Sequence, residues 1–357
     1  MTQATPLPAQ DDIEVIAPNF KRRHSGVTST VIRLVPVQAK SIGIVASGPD
    51  LPPDVPNLPP SRLPWLKGLA SGAPRVWHAR RNVEMVGGLA LKYIARKKFK
   101  LVFTSAAQRH HTGLTRWLIR QMDAVIATST KSARFLERDA TVINHGVDCD
   151  QFSPVEDRAA LRKSLDLPAE APLIGCFGRI RHQKGNDLFV DSMVRVFSQT
   201  PQGKALVMGR ATEDNKAYLQ DLKDKVAAHE MSDRILFRDE VPFEQLTAHF
   251  QALDLYVAPQ RWEGFGLTPL EAMACGVPVV ATRAGAFEDL VLPGETGYLV
   301  DIEDVDALAR HTLELVTDDS KRASFAQKAR ARAVENFTIQ READAIIQIY
   351  RSLLSEV

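Results

Sequence analysis

The stretch Leu253–Thr282, LDLYVAPQRWEGFGLTPLEAMACGVPVVAT, decides how this chain folds. Its first residues, LDLYVAP, form a short apolar run of strand character. A glycine-bearing turn follows, then a helical pattern, then a second strand-like run, VPVVAT. Strand, turn, helix and strand in so short a segment make a βαβ unit with parallel strands. Two glutamates, Glu263 and Glu271, stand on either side of the turn and the helix start, with seven residues between them. Glu263 falls just past a predicted strand end, where open α/β sheets hold their ligands.

The same alternation extends in both directions. Before residue 150, strands are expected at IEVIAP, SIGIVAS, RVWHAR, KLVFTSA, DAVIATS and ATVINHG. After it, they are expected at APLIGCFG, KALVMG, RILFRD, LDLYVAP, VPVVAT and GYLV, with helices such as GNDLFVDSMVRVF and KAYLQDLKDKVAAH between them. Each half reads as a doubly wound parallel sheet. The 357 residues suit two domains, each with its own core. The expected division is 1–150, 151–337 and a final amphipathic helix, 338–357, with Thr338 as its N-cap candidate. The joint is INHGVDCDQFSPVEDRAALRKSLDLPAEAP, where Pro154, Pro168 and Pro172 punctuate a short helix. The segment SGPDLPPDVPNLPPSRLPW is too proline-rich for a helix or a central strand and reads as a surface loop, ordered or mobile.

Composition narrows the classes. No apolar run approaches the ~20 residues of a membrane helix. The start, MTQATPLPAQDDIEV, lacks the features of a signal peptide and is expected to be a frayed tail. Cys149, Cys176 and Cys275 form no metal-ligand pattern, which points to a reduced, cytoplasmic setting. The net charge of +2 hides an asymmetry: residues 1–160 carry +9 and the remainder −7. A basic half suggests an anionic partner; an unevenly charged solvated surface is the alternative.

Three features carry chemistry. In CFGRIRHQKGNDLFVDS, Gly178 turns the chain after a strand, and Arg179 and Lys184 set two cations beside a helix start. That suits a diphosphate, or is an ordinary basic loop. Neither a P-loop nor a dinucleotide fingerprint is present. In the opening stretch, Gly264, Phe265 and Gly266 form a turn whose amides can face a ligand, followed by Leu267 and Thr268. Thr268 and Glu271 also read as N-cap and N3 of a capping box, which needs no ligand, with Pro269 as N1. Glu263 has no such structural explanation.

GRIRHQKG, EGFGLTPLEAMACGVPVVAT with its paired glutamates, and GAFEDLVLPGETGYLV together resemble the retaining glycosyltransferases of family 4. INHGVDCDQFSP is similar to that family's interdomain segment, with His145 inserted between Asn144 and Gly146. The resemblance is dense from about residue 142 to 300 and thin before that. It implies the α/β GT-B fold, two facing Rossmann-like domains with an interdomain cleft, and a last helix returning to the first domain. It also implies roles. Arg179 and Lys184 would bind the donor diphosphate and stabilise the leaving group without a metal. Glu271 would hold the ribose, and Glu263 the transferred sugar, helped by the amides of Phe265 and Gly266.

The first half matches the family less well. APNFKRRHSGVTSTVIRL resembles its first glycine loop, with Gly26 kept and Ser25 replacing a second glycine. Ala106 stands where the family often has a histidine touching the sugar. His110 and His111 follow as substitutes, or as capping or surface residues. His78 reads as structural or acceptor-side. Basic clusters at 21–24, 80–81 and 96–100, with Arg116 and Arg120, suit an anionic glycolipid. VEMVGGLALKYIARKKFK is apolar first and basic last, so it could lie on an anionic leaflet with Trp65, Leu66 and Leu69, or simply pack on the sheet. The pattern is most similar to the lipopolysaccharide-core mannosyltransferases of the family. That implies GDP-mannose as donor, a Kdo-containing acceptor, no cofactor, and a peripheral place at the cytoplasmic face of the inner membrane.

Other classes remain open but fit less well. An epimerase conflicts with the paired glutamates, and a nicotinamide reductase with the missing fingerprint. A UDP-sugar-dependent relative or an inactive nucleotide-sugar-binding subunit is compatible with the altered first loop. Nucleic-acid binding is disfavoured, because the basic patches lack interleaved aromatics.

Overall fold

The computed structural model describes residues 7–22, 26–201 and 203–355. The chain divides into two compact units, residues 1–144 with 339–357, and residues 145–338. The expected tail and the Ser25 position fall wholly or partly outside the described residues.

The first unit holds β1 (Val15–Pro18), β2 (Ile44–Ser47), β3 (Arg75–Ala79), β4 (Phe99–Ser105), β5 (Ala124–Ala127) and β6 (Thr141–Val142). Its helices are α1 (Gly26–Gln38), α2 (Asn82–Tyr93), α3 (Gly113–Arg120) and α4 (Thr130–Ala133). The six strands are parallel, in the order β2-β1-β3-β4-β5-β6. Chain order reverses between β1 and β3, so a ligand crevice is expected at their carboxyl ends.

The second unit holds α5 (Arg158–Ser164), β7 (Leu173–Phe177), α6 (Asn186–Phe197), β8 (Lys204–Met208), α7 (Lys216–Ala228) and β9 (Ile235–Arg238). It continues with α8 (Phe243–Gln251), β10 (Leu255–Ala258), α9 (Leu267–Ala274), β11 (Val279–Thr282), α10 (Phe287–Leu290) and β12 (Gly297–Val300). Two helices, α11 (Val305–Thr317) and α12 (Asp319–Asn336), close it. The parallel sheet runs β12-β11-β10-β7-β8-β9. Counted within the unit, this is the order 3-2-1-4-5-6 of nucleotide-binding sheets, with its switch point between β7 and β10.

Alternating side chains explain why both faces of each sheet are covered. On β7, Ile174 and Cys176 meet Leu188, Phe189 and Met193 of α6, while Leu173 and Phe177 meet Phe250, Leu270 and Met273 on the other side. Each such buried Leu, Ile or Phe contributes about 1.5–3 kcal/mol. The last helix, α13 (Ile339–Ser355), packs Ile346, Ile347 and Tyr350 beside α1 on the first sheet. Val147 N–H donates to the Phe337 carbonyl at 2.8 Å, so the two chain crossings between units lie side by side.

The proline-rich segment is an ordered loop, the first of the two alternatives. It contains a 3-10 helix, Pro60–Trp65, and sends Val55, Leu58 and Leu63 into the core. A 3-10 turn tolerates proline because few of its N–H groups need partners. Leu66 is buried as well, which removes it from any surface role, whereas Trp65 is 80% exposed.

His78 is structural. It is fully buried on β3, with Nδ1 2.5 Å from the Tyr350 hydroxyl and Nε2 2.6 Å from the Thr104 hydroxyl. Burial, reinforced by Arg80, holds its pKa well below 6.5. The folded protein therefore keeps His78 neutral while the unfolded chain takes up a proton below pH 6.5, so acidification favours unfolding. From pH 7 to pH 5, wild type is expected to lose about 2 kcal/mol more stability than His78→Gln. Urea unfolding at both pH values checks this; equal losses would show that His78 does not set the slope.

Candidate functional site

The two motif loops flank the switch point of the second sheet. Residues 178–185 follow β7 and residues 259–266 follow β10, and these strands are neighbours. Gly185 shows why the loops touch. It has φ +69°, and a Cβ there would sit 2.0 Å from the Pro259 carbonyl oxygen. Only glycine permits this approach.

The loops are fastened further by side chains. Lys184 Nζ pairs with Glu263 Oε2, and both side chains are about four-fifths buried (20% and 18% exposed). Glu263 Oε1 accepts from the Gly264 N–H at 3.0 Å. Arg179 is exposed on the same loop. Gln183 Nε2 donates to the Trp262 carbonyl at 3.3 Å, and Arg261 N–H donates to the Gln183 carbonyl at 3.0 Å.

Arg261 is the centre of this fastening. Its guanidinium makes a bidentate pair with Asp187 at 2.7 and 2.8 Å, donates to the His182 carbonyl at 2.8 Å, and reaches Glu303 at 2.5 and 3.0 Å. Burial raises the Asp187 pKa, but hydrogen bonds from Arg261 and Tyr218 outweigh it and hold the group down at about 2. The Tyr218 hydroxyl, donating to Asp187 at 2.8 Å, is pushed well above its usual range by burial and by that carboxylate. Beneath both loops lies Tyr256, fully buried. Its hydroxyl donates to the Phe177 carbonyl at 3.1 Å and accepts from the Phe177 N–H at 3.3 Å.

The helix start corrects one expectation. α9 begins at Leu267, with Gly266 as N-cap and no side-chain cap. Thr268 and Pro269 are its second and third residues rather than N-cap and N1, and Glu271 is its fifth. The capping box is therefore absent. The turn closes early because Gly266 adopts φ +89° over Phe287, where a Cβ would lie 2.3 Å from Cε1. Proline is tolerated in the first turn, where the missing N–H had no intrahelical partner. Glu271 is buried; burial raises the pKa values of Tyr256 and Cys275, and the nearby Glu271 carboxylate adds to both.

Gly178, Arg179, Lys184, Glu263, Gly264, Phe265, Gly266, Leu267, Thr268 and Glu271 thus all lie in the loops or the helix at the carboxyl side of β7 and β10. The sequence reading missed Arg261, Asp187, Tyr218 and Tyr256. Arg261 stood two residues from Glu263 in the stretch already singled out, but its partner is 74 residues away. It also missed what His145 does: its ring packs edge-on against Phe265, with centroids 4.9 Å apart.

The remaining candidates belong to the first unit. Gly26 begins α1, and a Cβ there would meet nothing within 4 Å, so local packing does not demand glycine. His110 is exposed, with its ring 5.4 Å from Phe135. His111 directly precedes Thr112, the N-cap of α3, and has Nε2 3.5 Å from Ser105 Oγ. Burial and Arg109 lower its pKa, which favours neutral imidazole at pH 7. At the switch point of this sheet, Arg81 donates to Asn19 Oδ1 at 2.8 Å and Thr28 Oγ1 at 2.9 Å. The cysteines are buried and unpaired; burial pushes Cys176 and Cys275 up to about 12, so they are inert thiols. Among the described residues, no group of three or more His, Cys, Asp or Glu side chains could hold a metal ion.

Comparison with known proteins agrees with this layout. Residues 157–332 match the family model "Glycosyl transferases group 1". The chain is 49% identical to the lipopolysaccharide core biosynthesis mannosyltransferase LpsB of Rhizobium meliloti, over 96% of this chain and 98% of that protein. This chain belongs to the group 1 glycosyltransferases. It is also 48% identical to the protein of the same description, LpcC, of Rhizobium leguminosarum bv. viciae, covering 98% of this chain and 99% of the other. The fold is that of GT-B glycosyltransferases. Anabaena HepE, solved with UDP, superposes with a TM-score of 0.81 at 22% identity, over 95% of this chain and all of that one. The enzyme is a glycosyltransferase, and the glycine- and glutamate-bearing loops of its second unit fall within the matched segment.

Proposed function

We propose that this glycosyltransferase is a retaining, family 4 enzyme that moves mannose from GDP-mannose to the Kdo-containing core of lipopolysaccharide. The observation that carries the reading is near-full-length identity of 48–49% to two proteins described as lipopolysaccharide core mannosyltransferases. The site supports it chemically. Arg179, Lys184 and the amides opening α9 offer positive charge to a diphosphate. Glu263 accepts from sugar hydroxyls, and Glu271 from the ribose. In the reaction, an acceptor hydroxyl bonds to the anomeric carbon on the face from which the diphosphate leaves. The C1–O bond to phosphate breaks, and the departing phosphate oxygen takes the hydroxyl proton. Developing negative charge on that oxygen is what Lys184 would stabilise.

Lys184 and Glu263 form an ion pair between the two loops. Donor binding would divide the pair, giving the cation to phosphate and the carboxylate to sugar. The basic first unit suits an acceptor rich in carboxylate and phosphate, presented at the cytoplasmic face of the inner membrane. Because side chains supply the cations in this reading, EDTA is expected to leave turnover unchanged. A loss restored by added divalent ion would show that a metal shares the charge.

Calorimetric titration with GDP-mannose, UDP-glucose, UDP-N-acetylglucosamine, GDP and UDP tests the donor. Binding confined to guanine ligands is the expected result. Binding confined to uracil ligands would discard GDP-mannose while keeping the transferase.

A further inference from the structure

We infer that the face formed by α2 and α3 is a docking surface for an anionic lipid bilayer. It deepens, and rests on, the reading of the acceptor as membrane-borne. α2 carries apolar residues on two sides. Met85 and Leu89 are buried toward the sheet, as packing requires. Val83, Val86, Tyr93 and Ile94 form a second stripe, exposed to solvent, with Ile94 at 82%. On α3, Leu114 and Trp117 are likewise exposed, at 64% and 54%. The two helices lie side by side: Asn82 Nδ2 donates to Thr115 Oγ1 at 2.7 Å near one end, and Lys92 pairs with Asp123 at 3.2 Å near the other. The exposed Trp65 is held close by, because Lys97 Nζ donates to the Leu66 carbonyl at 2.9 Å. A helix on a sheet needs one apolar stripe; a second, unburied one marks an interaction surface.

Charge selects the partner. Residues 60–122, the stretch that includes this face, contain 13 Lys and Arg, of which Arg75 and Arg80 are buried, but a single acid, Glu84. Glu84 is fully buried under α2 and paired with Arg81. The acids beside the helices are already engaged, Asp123 by Lys92 and Glu137 by Arg116 at 2.7 Å. Arg96, Lys98 and Arg120 remain exposed around the stripe. Apolar side chains with an almost purely cationic rim match the acyl boundary and anionic headgroups of a leaflet. No helix of the described residues is long and apolar enough to cross the membrane, so contact would be interfacial.

The test is co-sedimentation of the full chain with vesicles free of lipopolysaccharide and nucleotide sugar. Wild type should bind vesicles containing phosphatidylglycerol and lose roughly tenfold or more in affinity on pure phosphatidylcholine. The triple variant Val86→Ser, Ile94→Ser, Trp117→Ser should also lose roughly tenfold or more on the anionic vesicles. Arg96→Glu with Lys98→Glu should do the same without touching apolar residues. Thermal melts of both variants should match wild type, and the apolar triple variant should transfer to a delipidated, water-soluble core oligosaccharide as wild type does. Wild-type binding with equal binding by both variants would overturn this face and leave membrane association standing. Absence of wild-type binding would overturn the inference. Vesicle binding without any mannose transfer would sink the proposed activity alone.

Discussion

Lys184→Ala is expected to lower turnover by roughly 10²–10³-fold, the loss typical when a preorganised group facing developing charge is removed. Stability should fall by about 2 kcal/mol, because Glu263 is about four-fifths buried and loses its ion-pair partner, although the Gly264 N–H still holds the carboxylate. The separation of the two effects is the informative part. Steady-state kinetics beside a thermal melt measures both. A loss of kcat far larger than the modest fall in Tm, with the protein still folded at the assay temperature, identifies Lys184 as the group facing the leaving diphosphate. Wild-type turnover would remove it from the mechanism. Lys184→Arg should recover part of the rate, since charge is kept but its reach and shape differ.

Arg261→Met is expected to act on both the fold and the rate. The substitution leaves Asp187, a largely buried carboxylate, without its bidentate partner, which costs about 2–4 kcal/mol. The Glu303 contact adds little, because that carboxylate is more than half exposed. Turnover should fall as well, since the loop bearing Lys184 and the loop bearing Glu263 lose their common anchor. The pH dependence gives a signature. Asp187 is held at about 2, below its usual 3.8, so the pair stabilises the fold at pH above the ordinary carboxylate range. That contribution disappears as pH falls toward 2. The stability gap between wild type and Arg261→Met should therefore be widest near neutrality and narrow below pH 4. A gap independent of pH in urea unfolding would show that Asp187 is not the partner that matters. Arg261→Lys should lie between the two, keeping the charge but not the planar fork.

Much of the architecture was legible residue by residue. Each segment read as a strand contains one, because apolar runs bounded by glycine, proline and asparagine are local signals. The edge strand β6 is the weakest match. ATVINHG yields only Thr141–Val142, exposed at the end of the sheet where one neighbour is missing. The reading of α9 failed for an equally physical reason. Thr268-Pro269 has good capping chemistry, but the left-handed Gly266 packed over Phe287 starts the helix before that chemistry can act. For α2, the apolar residues divide: one stripe packs on the sheet, as that reading required, and another is left exposed, which the sequence pattern alone did not separate.

The sequence by itself determined a chain of alternating strands and helices, the glycines at its turns, and the residue types able to meet a diphosphate and a sugar. These follow from backbone preferences and periodicities that span a few residues. Only the tertiary structure decided which of them meet. Setting β7 beside β10 brings Lys184 to Glu263 across 79 residues of chain and gives Arg261 its partner in Asp187. Strand order is chosen by the packing of whole layers, and the pattern within any one strand does not carry it.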